Sequence, residues 1–196
     1  MYFYTHLYMA KVLYHYLSEE VRLDQQAFSY GNIKPDLPSR TREHHTLDNC
    51  LITVCEKAKQ LVEKDVSVKT FSVTLGEICH YVCDFCCYPH YNEKLHNQNL
   101  KHFIYELKLH RKLLHDKYKL YPNWKPPRKD IKSIILEMRD NYSSTSHCMQ
   151  KDIDFAFTSA AWVCESIIYY IKNSIETENE LDAVLYQFLI EEGGVL

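Results

Sequence analysis

The sequence predicts an all-α fold, in which residues 1–196 form a single-domain multi-helix bundle. Apolar residues recur at the three- and four-residue spacing of a helix face along almost the whole chain. No stretch alternates apolar and polar residues for long enough to indicate a strand. Only 4 residues are glycine, and neither glycine-rich phosphate-binding motif is present, which excludes folds that depend on such loops. With 46% hydrophobic residues, the bundle can bury a core.

The first predicted element is a helix over residues 3–18, in which Leu7 and Leu13 belong to one apolar face. Residues 24–41 are predicted as a loop, because one glycine and two prolines interrupt the periodic spacing. In this loop, Gly31 is expected where the chain reverses direction.

The later helices show the same spacing. Leu51 and Ala58 mark the apolar face of the second helix, and Leu75 and Ile78 mark that of the third. Prolines in residues 121–127 predict a turn. The remaining helices are predicted over residues 42–63, 68–86, 93–118, 128–140, 148–173 and 178–191.

The composition excludes several classes of protein. The formal net charge of -3 shows no basic excess, so we expect no nucleic-acid partner. Polar and charged residues interrupt the longest apolar stretch, residues 155–171, which predicts a buried helix rather than a membrane span. No secretory signal is visible, which predicts a cytoplasmic location and free thiols for the 8 cysteines. We infer no stable protein partner.

Histidines and carboxylates in the middle of the chain have the spacing of metal ligands. His80 and Asp84 are four residues apart on a predicted helix, so both project from one face. His102 and Glu106 repeat this arrangement on the next helix, and His90 lies between the two pairs. Imidazole and carboxylate are both good zinc ligands.

A single His–carboxylate pair is usually a surface pair that contributes little to stability. Two such pairs around a third histidine are harder to explain in that way, and they predict a metal site. Upstream, His6 lies on the first helix, Asp36 in the loop, and His44 and His45 at the start of the second helix. By contrast, His115 lies in a Lys/Arg-rich stretch that is typical of a solvated face.

These residues, in this order, resemble the zinc-dependent phospholipase C family, an all-helical bacterial group that includes lecithinases and phospholipase toxins. The stretch from His80 through Asp84 to His90 is similar to the core motif of the family. His102 and Glu106 match the His-x-x-x-Glu pattern that follows it.

The resemblance extends upstream and covers most of the chain. The family places a histidine on the first helix, matched by His6, and an aspartate in the next loop, matched by Asp36. A further histidine before the second helix is matched by His45 or His44. The stretch from His45 to Asp48 looks like the local pattern of the family, which favours His45.

The resemblance implies a metal cluster between helices that holds two or three zinc ions. It implies hydrolysis of a phospholipid or related small phosphoester, with possible transient contact with a membrane surface. Asp36 would orient or deprotonate the attacking water. One ion would bind His45, His80 and Asp84, a second would bind His90, His102 and Glu106, and a third would bind His6 and share Asp84.

The chain departs from the secreted members of this family near the expected ligands. Those members expose an N-terminal Trp whose amino group and carbonyl help to bind the third zinc, whereas no Trp precedes His6 here. Cys83, Cys86 and Cys87 lie beside the ligands, and a soft thiolate can compete for zinc. The single Cys-x-x-Cys has no second pair to complete a zinc ribbon, so it is interpreted as structural or incidental.

Other functions fit parts of the pattern. Fungal-type single-strand nucleases share a trinuclear zinc site, but their second helical pair ends in Asp where this chain has Glu106. Helical HD-type phosphohydrolases need adjacent His-Asp, which only His115 and Asp116 provide, away from the other candidate ligands. A zinc-binding helical module that kept the scaffold and lost turnover is a non-enzymatic alternative.

Overall fold

The computed structural model describes residues 1–37, 45–92, 98–116, 130–144 and 146–192, with only the backbone of residues 99 and 174–192. Within these ranges the all-α prediction is confirmed, because helices and no strands are present. The helices are α1 (Phe3–Leu17), α2 (Gln25–Ile33), α3 (Leu47–Glu63), α4 (Val68–Phe85), α5 (Tyr88–Tyr91), α6 (Asn99–Asp116), α7 (Ile131–Ser143) and α8 (Met149–Glu192), with a short 3-10 helix (Lys34–Asp36) after α2.

The predicted loop over residues 24–41 is wrong where α2 forms. The Asp24 side chain caps this helix by accepting the Ala27 N–H at 2.9 Å, which satisfies one of the free donors of the first turn. Gly31 therefore lies inside a helix, where its low helix propensity is overridden by packing. The part of the loop prediction over residues 38–41 lies outside the described residues, as does the predicted turn over residues 121–127.

Two further elements differ from the sequence prediction. The helices predicted over residues 148–173 and 178–191 are one continuous helix, α8, because the intervening residues contain neither glycine nor proline to end it. The one-turn helix α5 is absent from the sequence prediction, and Pro89 lies in its first turn. Proline fits the first turn of a helix, where its missing N–H is not needed.

The two interior glycines let α2 and α4 pack backbone against backbone. A Cβ on Gly31 would lie 2.1 Å from the Val73 carbonyl oxygen, and a Cβ on Gly76 would lie 2.4 Å from the Phe28 carbonyl oxygen. Both distances are shorter than any real contact. The role expected for Gly31 in a chain reversal is therefore wrong, because its hydrogen side chain is required for helix packing.

Helix α4 is covered by α2, α3 and α8, and it also contacts α1. Leu75, Ile78 and Val82 are at most 1% exposed and belong to the buried apolar cluster of the molecule. Because α4 is buried on all these sides, His80 and Asp84 near its C-terminal end are both 0% exposed. A buried carboxylate needs charged or hydrogen-bonding partners, so its surroundings identify the candidate site.

In the described part of the chain, no helix has both the length and the apolar character required to cross a membrane. The organisation of the whole chain as one domain stays a prediction.

Replacing Gly31 with alanine is expected to destabilise the fold by about 1–3 kcal/mol, because the added methyl group meets a backbone carbonyl that cannot rotate away. Helix propensity alone predicts the opposite sign, a gain of about 1 kcal/mol. Urea unfolding followed by circular dichroism measures the difference, with Glu56→Ala on the exposed face of α3 as the control. A stabilised Gly31→Ala variant would contradict the close packing of α2 and α4.

Candidate metal centre

The structure brings together all the predicted site residues that it describes, and only His44 lies outside the described ranges. Helix α4 presents His80 and Asp84 one turn apart on the same face. Around them lie His6 of α1, Asp36 at the end of the 3-10 helix, His45 just before α3, His90 of α5, and His102 and Glu106 of α6.

The first group of donors consists of His45, His80 and Asp84. His45 Nδ1 lies 2.9 Å from His80 Nε2 and 3.2 Å from Asp84 Oδ2. His80 Nδ1 lies 2.8 Å from the Asn32 carbonyl oxygen and must donate to it, since a carbonyl only accepts. The lone pair of His80 Nε2 therefore faces the other two side chains. Burial lowers the pKa of His80 well below its ordinary value, which keeps the imidazole neutral.

The second group consists of His90, His102 and Glu106. Glu106 Oε1 lies 3.1 Å from His90 Nε2 and 2.7 Å from His102 Nε2. His90 Nδ1 donates to the His45 carbonyl oxygen at 3.2 Å, so its Nε2 lone pair also faces inward. Burial opposes ionisation of Glu106, but the neighbouring amino group of the chain and the two histidines outweigh it and hold the pKa of Glu106 below its ordinary value.

Asp84 connects the two groups, because its two oxygens face different residues. Oδ2 lies 3.2 Å from His45 Nδ1 and 3.4 Å from His80 Nε2. Oδ1 lies 3.2 Å from His6 Nε2 and 3.8 Å from His90 Nε2. Burial opposes ionisation of this carboxyl group, but the attraction of the surrounding groups outweighs it and holds the pKa of Asp84 well below its ordinary value.

His6 provides a test of whether this donor set fits a metal ion. Its side chain is 0% exposed, its ring stacks on that of His80 at a centroid distance of 3.9 Å, and neither ring nitrogen makes a hydrogen bond. A buried polar atom without a partner costs free energy. A cation bound at His6 and Asp84 would supply the missing partner, so the residues present fit a metal ion.

The amino nitrogen of Met1 also lies in the cluster. It contacts Asp84 Oδ1, and it lies 3.0 Å from His90 Nε2 and 3.2 Å from Glu106 Oε1. Burial disfavours the charged form, but the two carboxylates outweigh this and raise the pKa of the amino group well above its ordinary value. The sequence signal for an amino group at this position was the resemblance to secreted family members, in which the amino group of an N-terminal Trp helps to bind zinc. It was interpreted only as a missing Trp, so Met1 was not predicted as part of the site.

Asp36 lies at the more exposed side of the first group. Its Oδ1 lies 3.6 Å from His45 Nδ1 and 3.7 Å from His80 Nε2, and its side chain is 24% exposed. Burial raises the pKa of Asp36 above its ordinary value. The carboxyl group is thus close to the donors, partly accessible, and more basic than an ordinary aspartate.

Among the three cysteines predicted beside the ligands, the structure brings only Cys87 into the cluster. Its Sγ, together with donor atoms of His90 and Glu106, lies within a group of atoms no more than 4.8 Å apart. Cys83 instead faces the Ala156 carbonyl oxygen of α8, and Cys86 faces Ser159. The thiols of Cys83 and Cys86 thus face two different residues of α8 and do not point to one shared position.

A family comparison agrees with this geometry. The sequence profile of the family described as zinc dependent phospholipase C matches residues 5–163. The chain belongs to the zinc-dependent phospholipase C family. The matched range contains every predicted ligand from His6 to Glu106 and ends inside α8, so the resemblance inferred from the motifs is confirmed. No curated protein and no solved structure gives a significant match to the chain.

Asp152 of α8 connects two helices of the candidate metal centre, and sequence reasoning missed it. Its Oδ2 accepts the Tyr88 N–H at 3.0 Å and the Tyr105 hydroxyl at 2.8 Å, and its Oδ1 accepts the Tyr142 hydroxyl at 2.7 Å. Tyr88 begins α5, which carries His90, and Tyr105 precedes Glu106 in α6. Burial raises the pKa of Asp152, while these three donors oppose the rise. No local motif marks this residue, because its partners are distant in sequence.

Replacing Asp152 with asparagine is expected to weaken zinc binding at the second group about 10–100-fold, as found when partners of metal ligands are changed. The asparagine side chain has an NH2 group in place of one of the two carboxylate oxygens that accept hydrogen bonds. The residue can then no longer accept all of the hydrogen bonds from Tyr88, Tyr105 and Tyr142, and the connection between α5 and α6 is weakened. Titration against a chromogenic zinc chelator measures the affinity, and Asp154→Asn on the same helix is the control. A folded Asp152→Asn variant with unchanged zinc affinity would exclude this positioning role.

Proposed function

We propose that this family member is a metal-dependent phosphodiester hydrolase that uses two or three zinc ions to cleave a phospholipid or a related small phosphoester. The observation that supports this most directly is the position of Asp84. Its fully buried carboxylate connects two groups of nitrogen and oxygen donors, as shared ligation of neighbouring ions requires. Neighbouring divalent cations supply charge stabilisation for an anionic phosphodiester and lower the pKa of bound water.

The contacts support an assignment of each residue. We assign His45, His80 and Asp84 to the first ion and His90, His102 and Glu106 to the second. We assign His6 and Asp84 to the third. The carbonyls of Asn32 and His45 hold the imidazoles of His80 and His90 in the tautomer that a metal ligand needs.

We assign Asp36 the role of general base. It is the partly exposed carboxyl group of the cluster, so an attacking water can reach it from solvent. Burial raises the pKa of its carboxyl group, which makes it a better proton acceptor than an ordinary aspartate near neutral pH. Asp36 would orient the attacking water and accept its proton as the new P–O bond forms and the P–O bond to the alcohol leaving group breaks. The departing alcohol would take up a proton from solvent.

The proposed function also specifies the expected binding partners. A phospholipid or small phosphoester is the proposed substrate, together with transient contact with a membrane surface. The absence of a nucleic-acid partner and of a stable protein partner stays a prediction, and so does the cytoplasmic location.

The first test combines metal analysis with activity. Purified protein is expected to contain two or three zinc ions per chain, and removal of zinc by a chelator is expected to abolish hydrolysis of a chromogenic phosphocholine ester. His80→Ala should have the same effect, because it removes a donor of the first group. His115→Ala is the control, since this side chain is 88% exposed and lies outside the cluster.

The substrate panel separates the alternatives. Cleavage of single-stranded DNA in preference to the phosphocholine ester would favour a function like that of the single-strand nucleases. Bound zinc without turnover of any phosphodiester or phosphomonoester would identify a non-catalytic zinc-binding module, and it would exclude the proposed hydrolase.

The second test determines whether Asp36 acts as a general base or as a metal ligand. Asp36→Asn is expected to lower kcat about 100–10,000-fold with unchanged zinc content, because the amide cannot accept the proton. Atomic absorption and single-turnover kinetics measure the two quantities, with the exposed Asp48→Asn as the matched control. Loss of one zinc ion from the Asp36→Asn variant would show instead that Asp36 is a metal ligand.

A further inference from the structure

Helix α6 presents a second apolar face, directed away from the core. Its inward residues Leu109 and Leu113 are at most 1% exposed, as expected for a packed helix. Yet Leu100 is 71% exposed, Phe103 48% and Leu114 48%. With the half-buried Leu107 included, Leu100 and Phe103 are three residues apart, Phe103 and Leu107 four, and Leu107 and Leu114 seven, so these residues share one stripe of the helix. We call the outward-facing residues Leu100, Phe103, Ile104, Leu107 and Leu114 the outer stripe.

A row of cations borders the outer stripe. Lys101 and Lys108 are exposed on its flank, and the exposed Arg111 lies within the stripe between Leu107 and Leu114. None of the three forms an ion pair with a residue that the structure describes, whereas the neighbouring Lys112 pairs with Asp116. The acidic residues of α6 are the buried Glu106 and the terminal Asp116, so the outer stripe itself contains no carboxylate.

The outer stripe continues onto α1. The Tyr2 ring lies 5.9 Å from the Phe103 ring and 5.5 Å from the Tyr4 ring, and Tyr4 is 56% exposed. Single exposed apolar residues are ordinary on a protein surface, but a continuous apolar stripe marks an interaction site. Here both helices also carry donors of the metal centre, since His6 follows Tyr4 and His102 lies within the first turns of α6.

We propose that the outer stripe and its cationic border dock this protein onto a bilayer that contains anionic lipid. An exposed apolar stripe flanked by Lys and Arg is the pattern of a helix that lies in a membrane interface, with apolar side chains among acyl chains and cations at the phosphates. The inference rests on the proposed function for its purpose, because α6 and α1 also carry donors of the metal centre, His102, Glu106 and His6. The binding itself is independent of turnover.

The test is sedimentation of the full chain with vesicles of phosphatidylcholine and phosphatidylserine in equal parts. Binding is expected, and it should weaken with added salt and with vesicles of phosphatidylcholine alone. Leu100→Ser combined with Phe103→Ser should weaken binding at least about tenfold. Lys101→Gln and Lys108→Gln should each weaken it about fivefold. Ile52→Ser on α3 is the matched control, because Ile52 is also 71% exposed, and it should bind normally.

The outcomes separate this proposal from the proposed hydrolase. Vesicle binding that depends on the outer stripe, in a protein that hydrolyses no phosphoester, would support docking and exclude the enzyme. Hydrolysis of a soluble phosphocholine ester without vesicle binding, or with binding that the double variant leaves unchanged, would overturn docking. A dimer in light scattering that the double variant dissociates would also overturn it, because the stripe would then be an interface between two copies.

Discussion

The close approach of α2 and α4 at Gly31 and Gly76 is the constraint on which the arrangement of the metal centre depends. The residue after Gly31 is Asn32, whose carbonyl oxygen lies 2.8 Å from His80 Nδ1, one turn beyond Gly76. This distance is available only because the two backbones touch. The 3-10 helix that follows α2 then carries Asp36 to within 3.7 Å of the same imidazole. A packing contact between two glycines thus determines a tautomer and a distance in the candidate site.

The buried carboxylate of Asp84 imposes a second constraint on the fold, because its charge needs compensating groups around it. A charge with 0% exposure is unfavourable unless the surrounding groups compensate for lost hydration. The compensating groups come from α1, α5 and the segment before α3, so electrostatic attraction holds these three parts of the chain against α4. Glu106 adds a second carboxylate nearby. Two buried carboxylates among imidazoles attract cations strongly, which is the physical basis for the proposed zinc site.

The two His–carboxylate pairs of the candidate site were predictable from the sequence, because a four-residue spacing on a helix fixes which side chains share a face. That rule found the pair His80 and Asp84 without any knowledge of the fold. The roles of His6 and His45 came instead from the family resemblance. Gly31 was misplaced, since sequence rules assign glycine to turns and contain no information on which helix approaches it. Asp152 was missed for the same reason, as its tyrosine partners become neighbours only after α5, α6 and α8 pack together. Local chemistry is thus visible in the sequence, whereas support from other helices is not.

The two faces of α6 obey different constraints, and the difference explains its composition. The inner face must present His102 and Glu106 to the cluster, and it packs Leu109 and Leu113 against the core. The packing of the described bundle does not require Leu100 to be apolar, because it is 71% exposed, and Phe103 is 48% exposed beside the Tyr2 ring. A polar residue at Leu100 would make the surface more soluble. The apolar outer stripe therefore needs a cause outside the core, and the proposed docking onto a lipid surface provides one.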